Sequence, residues 1–301
     1  MSIQGPGAPQ EPHLPFFHSK AEDPPPPVIS CYYQASNALN PPPIPYGVNS
    51  VILDFDYTAL DAQKGVSGLT GPFTKPRVLQ NFIDECHRQS PPIKVMIKIG
   101  GTGGKFENTW SQLNSANIDR YSSSLQKFCN NNGLDGIEFN WNTSPSPEGQ
   151  TSLIGSLIKD FKCNIKGTSP LQATLSCSYG QVGGGLVSCD IDALFKAATN
   201  ADGSNAIDHV TMLGDEDTTM QSDIPAWETF IGSHGLSPSQ LTVGMGSTTD
   251  IKGAATWNKS QGTGTCISNW DPQNVTDSNN ETKQVWSIYN QPLNKPQRPT
   301  E

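Results

Sequence analysis

The stretch GLDGIEFNWN at residues 133–142 is a mostly apolar segment in which polar side chains take every second position towards its end. Residues two apart along a β-strand point to the same side. One side therefore carries Glu138, Asn140 and Asn142. The other side carries Ile137, Phe139 and Trp141. A strand of this kind is expected to pack its apolar side under helices and to turn its polar side towards the mouth of a barrel.

Seven further apolar runs rich in Val, Ile and aromatic residues predict the other strands of the same sheet. They are VISCYY (28–33), NSVILDFD (49–56), IKVMIKI (93–99), LQATLSC (171–177), DHVTMLG (208–214), LTVGMG (241–246) and TCISNW (265–270). Segments with helical periodicity lie between them. These predicted helices cover 76–89, 117–129, 150–163, 190–199, 224–233 and 280–290. The alternation predicts an α/β protein built as a single (β/α)8 TIM barrel.

The length of the chain fits one barrel better than two domains. Residues 28–294 are close in number to the roughly 250 residues that one such barrel usually needs. Only residues 34–48, which include PPPIP, separate the first two predicted strands, so a regular crossover helix barely fits there. Residues 1–27 form a Pro-rich tail, and residues 28–301 form the barrel domain in this division.

Composition excludes several classes of partner. The chain has 19 Lys and Arg against 28 Asp and Glu, a net charge of -9, with the positive residues scattered. Nucleic acid and anionic membrane surfaces are therefore not expected partners. No apolar run is long enough to span a bilayer, and the first residues lack the features of a signal peptide. These features predict a cytoplasmic protein, with unconventional export as the alternative.

Neither a metal nor a cofactor is expected. The seven cysteines form no CxxC pair and lie in apolar segments, so they are predicted to be buried, reduced thiols. The histidines are isolated, with no two at the spacing of metal ligands. The glycine runs GGTGG (100–104) and GGG (183–185) do not open a helix in the way that phosphate-binding loops do.

Three ordered segments resemble the family 18 glycoside hydrolases, the chitinases and their relatives. IKVMIKIGG (93–101) resembles their third-strand segment, with Lys98 where Ser is usual. GLDGIEFNWN resembles the fourth-strand signature Asp-Gly-x-Asp-x-Asp-x-Glu, with Asp135 retained at its start. The later signature positions carry Glu138, Asn140 and Asn142. VTMLGD (210–215) resembles the sixth-strand segment Met-x-Tyr-Asp: Met212 and Asp215 are retained and Gly214 replaces the tyrosine. GMGSTTD (244–250) is similar to the seventh-strand end of the narbonin-like branch, leaderless barrels of seeds.

The resemblance implies a chemistry that this chain has lost. In the family the final Glu of the signature protonates the glycosidic oxygen, and the preceding Asp steadies the N-acetyl group of the substrate as that group attacks the anomeric carbon. Asn142 and Asn140 hold these positions here, and a neutral amide cannot deliver a proton near pH 7. General acid catalysis contributes about 10²- to 10⁴-fold to a rate. The resemblance therefore implies a catalytically inactive barrel with a binding, storage or defence role.

Two other functions stay open. The protein could be an active glycosidase of the chitinase type that uses Asp215 with Asp54 or Asp56, or it could inhibit another hydrolase. The partner is expected to be a carbohydrate containing N-acetylglucosamine, or a protein. Glu138 lies too deep to replace the missing acid and is expected to be buried, paired with Lys98 on the neighbouring strand.

Aromatic side chains at strand ends are the candidate sugar platforms, because a ring face packs on the apolar face of a pyranose. The candidate ligand-binding residues are Tyr33, Asn140, Asn142, Tyr179, Asp215 and Trp270. Trp110 and Trp257 are further aromatic candidates on loops or helices. Trp257 also competes with Trp270 for the end of strand eight, and spacing favours Trp270. For the tryptophan at that position, packing under the barrel mouth is the alternative to sugar stacking.

Overall fold

Eight parallel strands close into one barrel, as the sequence predicts. The computed structural model of the protein describes residues 27–55, 59–61, 65–100, 110–141, 150–163, 170–183, 186–213, 219–245 and 250–291. The barrel strands are β1 (Ile29–Gln34), β2 (Ser50–Asp54), β3 (Lys94–Gly100), β4 (Gly136–Trp141), β5 (Gln172–Ser178), β6 (His209–Leu213), β7 (Leu241–Met245) and β8 (Gly264–Trp270). Each strand pairs with its neighbours in sequence, and β8 pairs with β1 to close the barrel.

Seven α-helices of the described chain connect and cover these strands. They are α1 (Val78–His87), α2 (Ile118–Asn132), α3 (Gln150–Cys163), α4 (Cys189–Ala197), α5 (Thr219–Ser233), α6 (Ile251–Gln261) and α7 (Val275–Tyr289). Between β1 and β2 the described chain makes only a short 3-10 turn, Ala35–Asn37, as the brevity of that connection indicates. Two antiparallel ribbons follow β2 and β5: Ala59–Asp61 with Gly65–Ser67, and Val182–Gly183 with Leu186–Val187.

Two apolar clusters show which way each strand turns its side chains. The larger cluster lies between the barrel and the helices and includes Ile137, Phe139 and Trp141 of β4, as their positions in the sequence predict. The smaller cluster lies inside the barrel. It consists of Tyr32, Ile52, Met96 and Cys266. The described interior also contains buried Ser, Thr, Asn, Glu and His side chains.

Two glycines of the family-like segments have steric reasons to be glycine. A Cβ on Gly136, at the start of β4, would lie 2.0 Å from the carbonyl oxygen of Gln172 on β5. Gly100 ends β3 at a φ of +87°, and a Cβ there would lie 2.4 Å from the carbonyl oxygen of Asn140. A side chain at either position would force neighbouring strands apart.

The cysteine prediction needs one correction. Among the six described cysteine side chains, all are free thiols and all but one are buried. Cys163 is exposed, because it is the last residue of α3, where its Sγ donates to Asn200 at 3.5 Å. Within the described segments, no helix combines the length and the apolar character that a bilayer span requires.

The tail before the barrel should be dispensable for folding. The Pro27 carbonyl accepts a hydrogen bond from Asn49 at 3.3 Å, so a test deletion should stop at residue 26. A Pro-rich segment of this composition buries little apolar surface, and we expect the melting temperature to change by only about 1–2 °C. A loss of several degrees on calorimetry would show that Leu14, Phe16 or Phe17 anchors the tail.

Candidate functional site

The candidate site lies at the carboxyl ends of the strands, the end at which TIM barrels carry their active sites. Several predicted site residues fall on connections outside the described residues. Asn142, Gly214 and Asp215 are among them, as is Asp56. Tyr179 begins a 3-10 turn directly after β5, so its backbone is at the expected end of the barrel, while its side chain is not described. The described part of the site is the upper interior of the barrel.

Glu138 is fully buried in the barrel, as predicted, but its partner differs from the predicted one. The Tyr32 hydroxyl of β1 donates to Glu138 Oε1 at 2.5 Å across the barrel. Burial raises the pKa of the Glu138 carboxyl to about 7. Hydrogen bonding from Tyr32 and Ser176 and the positive charge of Lys98 oppose this shift in part. The Glu138 carboxyl is therefore buried and fixed by a phenol hydroxyl.

Lys98 pairs with Asp54 rather than with Glu138. The Lys98 Nζ lies 2.5 Å from Asp54 Oδ2, although Lys98 is in register with Glu138 on the other neighbouring strand. Its ammonium also lies 5.5 Å from the centre of the Tyr32 ring. Lys98 therefore has a carboxyl on each neighbouring strand. It binds Asp54, which is partly exposed, while Glu138 is buried and already bonded to Tyr32.

Asn140 is held in the same interior network. Its Nδ2 donates to Ser176 Oγ of β5 at 2.9 Å, and its side chain is almost fully buried. Its backbone carbonyl accepts from the indole of Trp110 at 3.2 Å. Trp110 is itself buried, so it serves as packing for β4 and not as an exposed platform.

Asp135 serves the opposite end of the strand. Its Oδ2 accepts from the backbone N–H of Val95 at 2.7 Å and contacts His87 at 2.8 Å. These contacts tie α1, β3 and the start of β4 together. Asp135 is thus a structural residue at the N-terminal end of the barrel, far from the strand ends where a ligand would bind.

Tyr33 and Trp270 are not exposed platforms in this structure. Both side chains are fully buried, and their rings stack at 4.9 Å between centroids. Tyr33 also contacts Phe82 of α1 edge to face, at 5.2 Å between centroids. Of the two interpretations of Trp270, packing under the barrel mouth is the one that fits this burial, and the same correction applies to Tyr33. Trp257 lies on α6, half-buried, so Trp270 ends strand eight.

Sequence reasoning missed Tyr32 and Ser176, the two hydroxyl residues that complete the network around Glu138 and Asn140. Tyr32 lies on the interior face of β1 and Tyr33 on the outer face. Ser30, the one polar residue of VISCYY besides its tyrosines, lies on the same side of the strand as Tyr32 and was the signal that could have placed Tyr32 inside. Among the described residues no group of three or more His, Cys, Asp or Glu side chains could hold a metal ion.

The shifted pKa of Glu138 predicts a pH dependence of stability. Glu138 is neutral in the folded chain up to about pH 7, whereas in the unfolded chain it ionises near its ordinary value of 4.5. Its neutral form therefore stabilises the fold fully below pH 4.5, and this contribution is lost as the pH rises to about 7. Glu138→Gln keeps a neutral group at every pH, so this variant does not lose that stabilisation as the pH rises. We expect the stability of this variant relative to wild type to rise by about 3 kcal/mol between pH 4 and pH 8.

Urea unfolding at the two pH values measures this difference. The matched control is Asp119→Asn, which removes an exposed carboxyl in the first turn of α2. If the stability of Glu138→Gln relative to wild type were the same at both pH values, Glu138 would ionise in the folded protein at its ordinary pKa.

Comparisons with solved structures agree on the fold. A chitinase-like agglutinin from Robinia pseudoacacia superposes with a TM-score of 0.62 at 14% identity, covering 86% of this chain and 99% of that one. A GH18 chitinase from Cycas revoluta, solved in complex with (GlcNAc)3, gives 0.62 at 12% identity, with 87% and 100% covered. A chitinase from Rhizomucor miehei gives 0.61 at 15% identity, with 86% and 99% covered. No curated protein sequence shows significant similarity to the chain.

A sequence profile supplies the family. The profile described as glycosyl hydrolases family 18 matches residues 28–294, which is the whole region from the first barrel strand to the end of the last helix. The match covers most of the chain and agrees with the closed eight-stranded barrel. The chain therefore belongs to glycosyl hydrolase family 18.

Proposed function

We propose that this protein is a catalytically inactive chitinase-like barrel that binds carbohydrate containing N-acetylglucosamine at the carboxyl ends of its strands. In this proposal the fourth-strand signature is degenerate. Asn142 replaces the proton donor and Asn140 replaces the carboxylate that would steady the acetamido group of the substrate. The polar side chains at the strand ends then serve for binding alone.

The observation that carries the proposal is the hydrogen bonding of the polar side chains of β4. Asn140 donates to Ser176 of β5, and Glu138, the carboxyl nearest to the mouth on the described part of β4, is fully buried and accepts from Tyr32 of β1. A general acid must come within hydrogen-bond reach of the oxygen that it protonates, about 2.6–3.2 Å. Glu138 is fully buried and bonded to Tyr32, so it does not come within this distance of a sugar at the mouth.

Carbohydrate is the favoured ligand because the structural neighbours of the chain include one that was solved with sugar bound. One neighbour is named an agglutinin, and another was solved with (GlcNAc)3 bound. The likeness to these proteins is one of fold. The residues that would bind sugar in this chain are therefore its own: Asn140, Asn142, Tyr179 and Asp215. Tyr33 and Trp270 would support the site from beneath.

The exposure of one carboxylate supports an active glycosidase as the alternative function. Asp54 ends β2 with about 29% of its side chain exposed and is paired with Lys98. In this alternative Asp215 works with Asp54 or with Asp56, as carboxylates outside the fourth-strand motif. A hydrolase inhibitor, a storage role of the narbonin-like kind and a defence role share the same inactive barrel.

The proposal also places the protein in a reducing compartment such as the cytoplasm, because free thiols are typical of proteins in such a compartment.

Calorimetric titration with chitotetraose tests the binding half of the proposal. We expect saturable binding that Tyr179→Ala or Asp215→Asn weakens about tenfold, since one aromatic or charge-assisted contact contributes about 1–2 kcal/mol. Tyr46→Ala is the matched control: Tyr46 is exposed and lies on the connection before β2, where it contacts α7 on the outside of the barrel. Absence of binding, together with a negative glycan array, would remove carbohydrate from the proposal.

A further inference from the structure

A cavity of about 560 Å³ opens at the N-terminal end of the barrel, opposite the candidate site. Volumes of 300–1,000 Å³ are usual for pockets that take small organic ligands. The cavity lies where several strands begin, and α7 forms part of its wall. Its lining includes Ser50, Lys94, Gln172 and His209.

Part of the cavity lining is apolar. It includes Val28, Pro91, Pro92, Met96 and Trp286. Met96 belongs to the apolar cluster inside the barrel, and Trp286 of α7 is half-buried beside the larger core. These side chains offer methylene, ring and thioether groups to a ligand. A ligand that fills the cavity must therefore have an apolar body.

The lining also carries a hydroxyl with no partner among the described residues. Ser50 is 3% exposed, and its Oγ has no hydrogen-bond partner among the described residues. A buried hydroxyl left unsatisfied costs about 1–3 kcal/mol, so a ligand acceptor at this point would be favourable. Ser50 of β2 is in register with Lys94 of β3, so the two side chains start from neighbouring positions on the same level of the barrel.

Lys94 provides the charge of the cavity. No carboxylate of the described chain pairs with its ammonium. The Asp208 carboxylate, which also lines the cavity, is already bound by Lys162 at 2.7 Å and by the backbone N–H of Ala173. Burial lowers the pKa of His209 to about 3, and the positive charge of Lys94 adds to this shift. His209 is therefore neutral. The cavity therefore offers one unpaired positive charge to a ligand.

We infer that this cavity binds an amphipathic monocarboxylate of about ten carbon atoms. Its carboxylate accepts from Lys94 and from Ser50 Oγ, and its apolar body lies against Met96, Pro92 and Trp286. This inference does not rest on the proposed function, because the two sites lie at opposite ends of the barrel and share no side chain.

Fluorescence titration of the full chain with decanoate and 10-bromodecanoate tests the inference. The bromine quenches a nearby indole, so we expect saturable quenching that Trp286→Phe largely removes. Lys94→Gln should weaken decanoate about tenfold or more, because it removes a charge-assisted hydrogen bond, and should leave decan-1-ol unchanged. Ser50→Ala should weaken decanoate by a smaller factor. Lys127→Gln, at an exposed lysine on α2, is the matched control and should change nothing.

Three results would overturn the inference. One is the absence of saturable decanoate binding to the full chain. Another is binding that Lys94→Gln and Ser50→Ala leave unchanged, which would place the ligand elsewhere. The third is binding only after deletion of residues 1–26, which would show that the tail is the occupant of the cavity.

Discussion

Asn142→Glu alone is expected to yield no detectable hydrolysis of chitin oligomers. The substitution restores a carboxylic acid at the end of β4, but Asn140 remains an amide bonded to Ser176 and cannot steady an acetamido group. Tyr32 and the Lys98–Asp54 pair also still occupy the barrel below. A proton donor without its electrostatic partner recovers little of the rate.

A fivefold variant is expected to restore slow cleavage. Glu138→Asp, Asn140→Asp and Asn142→Glu rebuild the carboxyl signature, Lys98→Ser removes the ammonium beside Tyr32, and Gly214→Tyr supplies the missing phenol. We expect detectable cleavage, at a rate at least about 10²-fold above that of the same variant with Gln at position 142, since general acid catalysis by itself contributes about 10²- to 10⁴-fold. Release of chitobiose from a fluorogenic chitin oligomer measures it.

The control is the same fivefold variant with Gln in place of Glu at position 142, which should be inactive. Strong activity from Asn142→Glu alone would contradict this account, because it would mean that the pocket is open and already shaped for the sugar. No activity from a correctly folded fivefold variant would show that the mouth has been rebuilt, and would favour a storage or protein-binding role.

Trp270→Ala is expected to lower the free energy of unfolding by about 3–5 kcal/mol, as truncation of a large buried aromatic side chain usually does. The indole is fully buried and stacks on Tyr33, which in turn packs on Phe82 of α1. Its loss opens a cavity at the closure of β8 on β1, where the barrel joins its ends. Urea unfolding followed by circular dichroism measures the change.

Trp257→Ala is the matched control, because Trp257 is half-buried on the surface helix α6 and should cost only about 1–2 kcal/mol. If Trp270→Ala left stability nearly unchanged while abolishing chitotetraose binding, the indole would be a sugar platform and the packing role assigned to it would be wrong.

The barrel could be predicted from the sequence because its signals are long and regular. Eight apolar runs at the spacing of βα units all became strands, and the short segment before β2 indeed has no crossover helix among its described residues. The helix α6 was missed. GAATWN (253–258) was considered only as a rival for strand eight, because its glycine and small residues give a weak helical pattern.

The candidate site could be predicted less well, since contacts between strands decide it. Lys98 has a carboxyl on each side, and only the structure shows that it pairs with Asp54 while Tyr32 bonds to Glu138. Tyr33 was preferred to Tyr32 because it ends the predicted strand 28–33, although Ser30 marks the side of Tyr32 as the polar one. The inward direction of Glu138 and Asn140, by contrast, followed from simple alternation along β4, and their hydrogen bonds to Tyr32 and Ser176 confirm it.

The most direct test of the central proposal is the rate at which the purified full chain hydrolyses chitotetraose between pH 5 and pH 7. We predict no product above the buffer control while binding is saturated. Turnover that disappears in Asp215→Asn or Asp54→Asn would contradict the proposal and would show an active glycosidase with carboxylates outside the fourth strand.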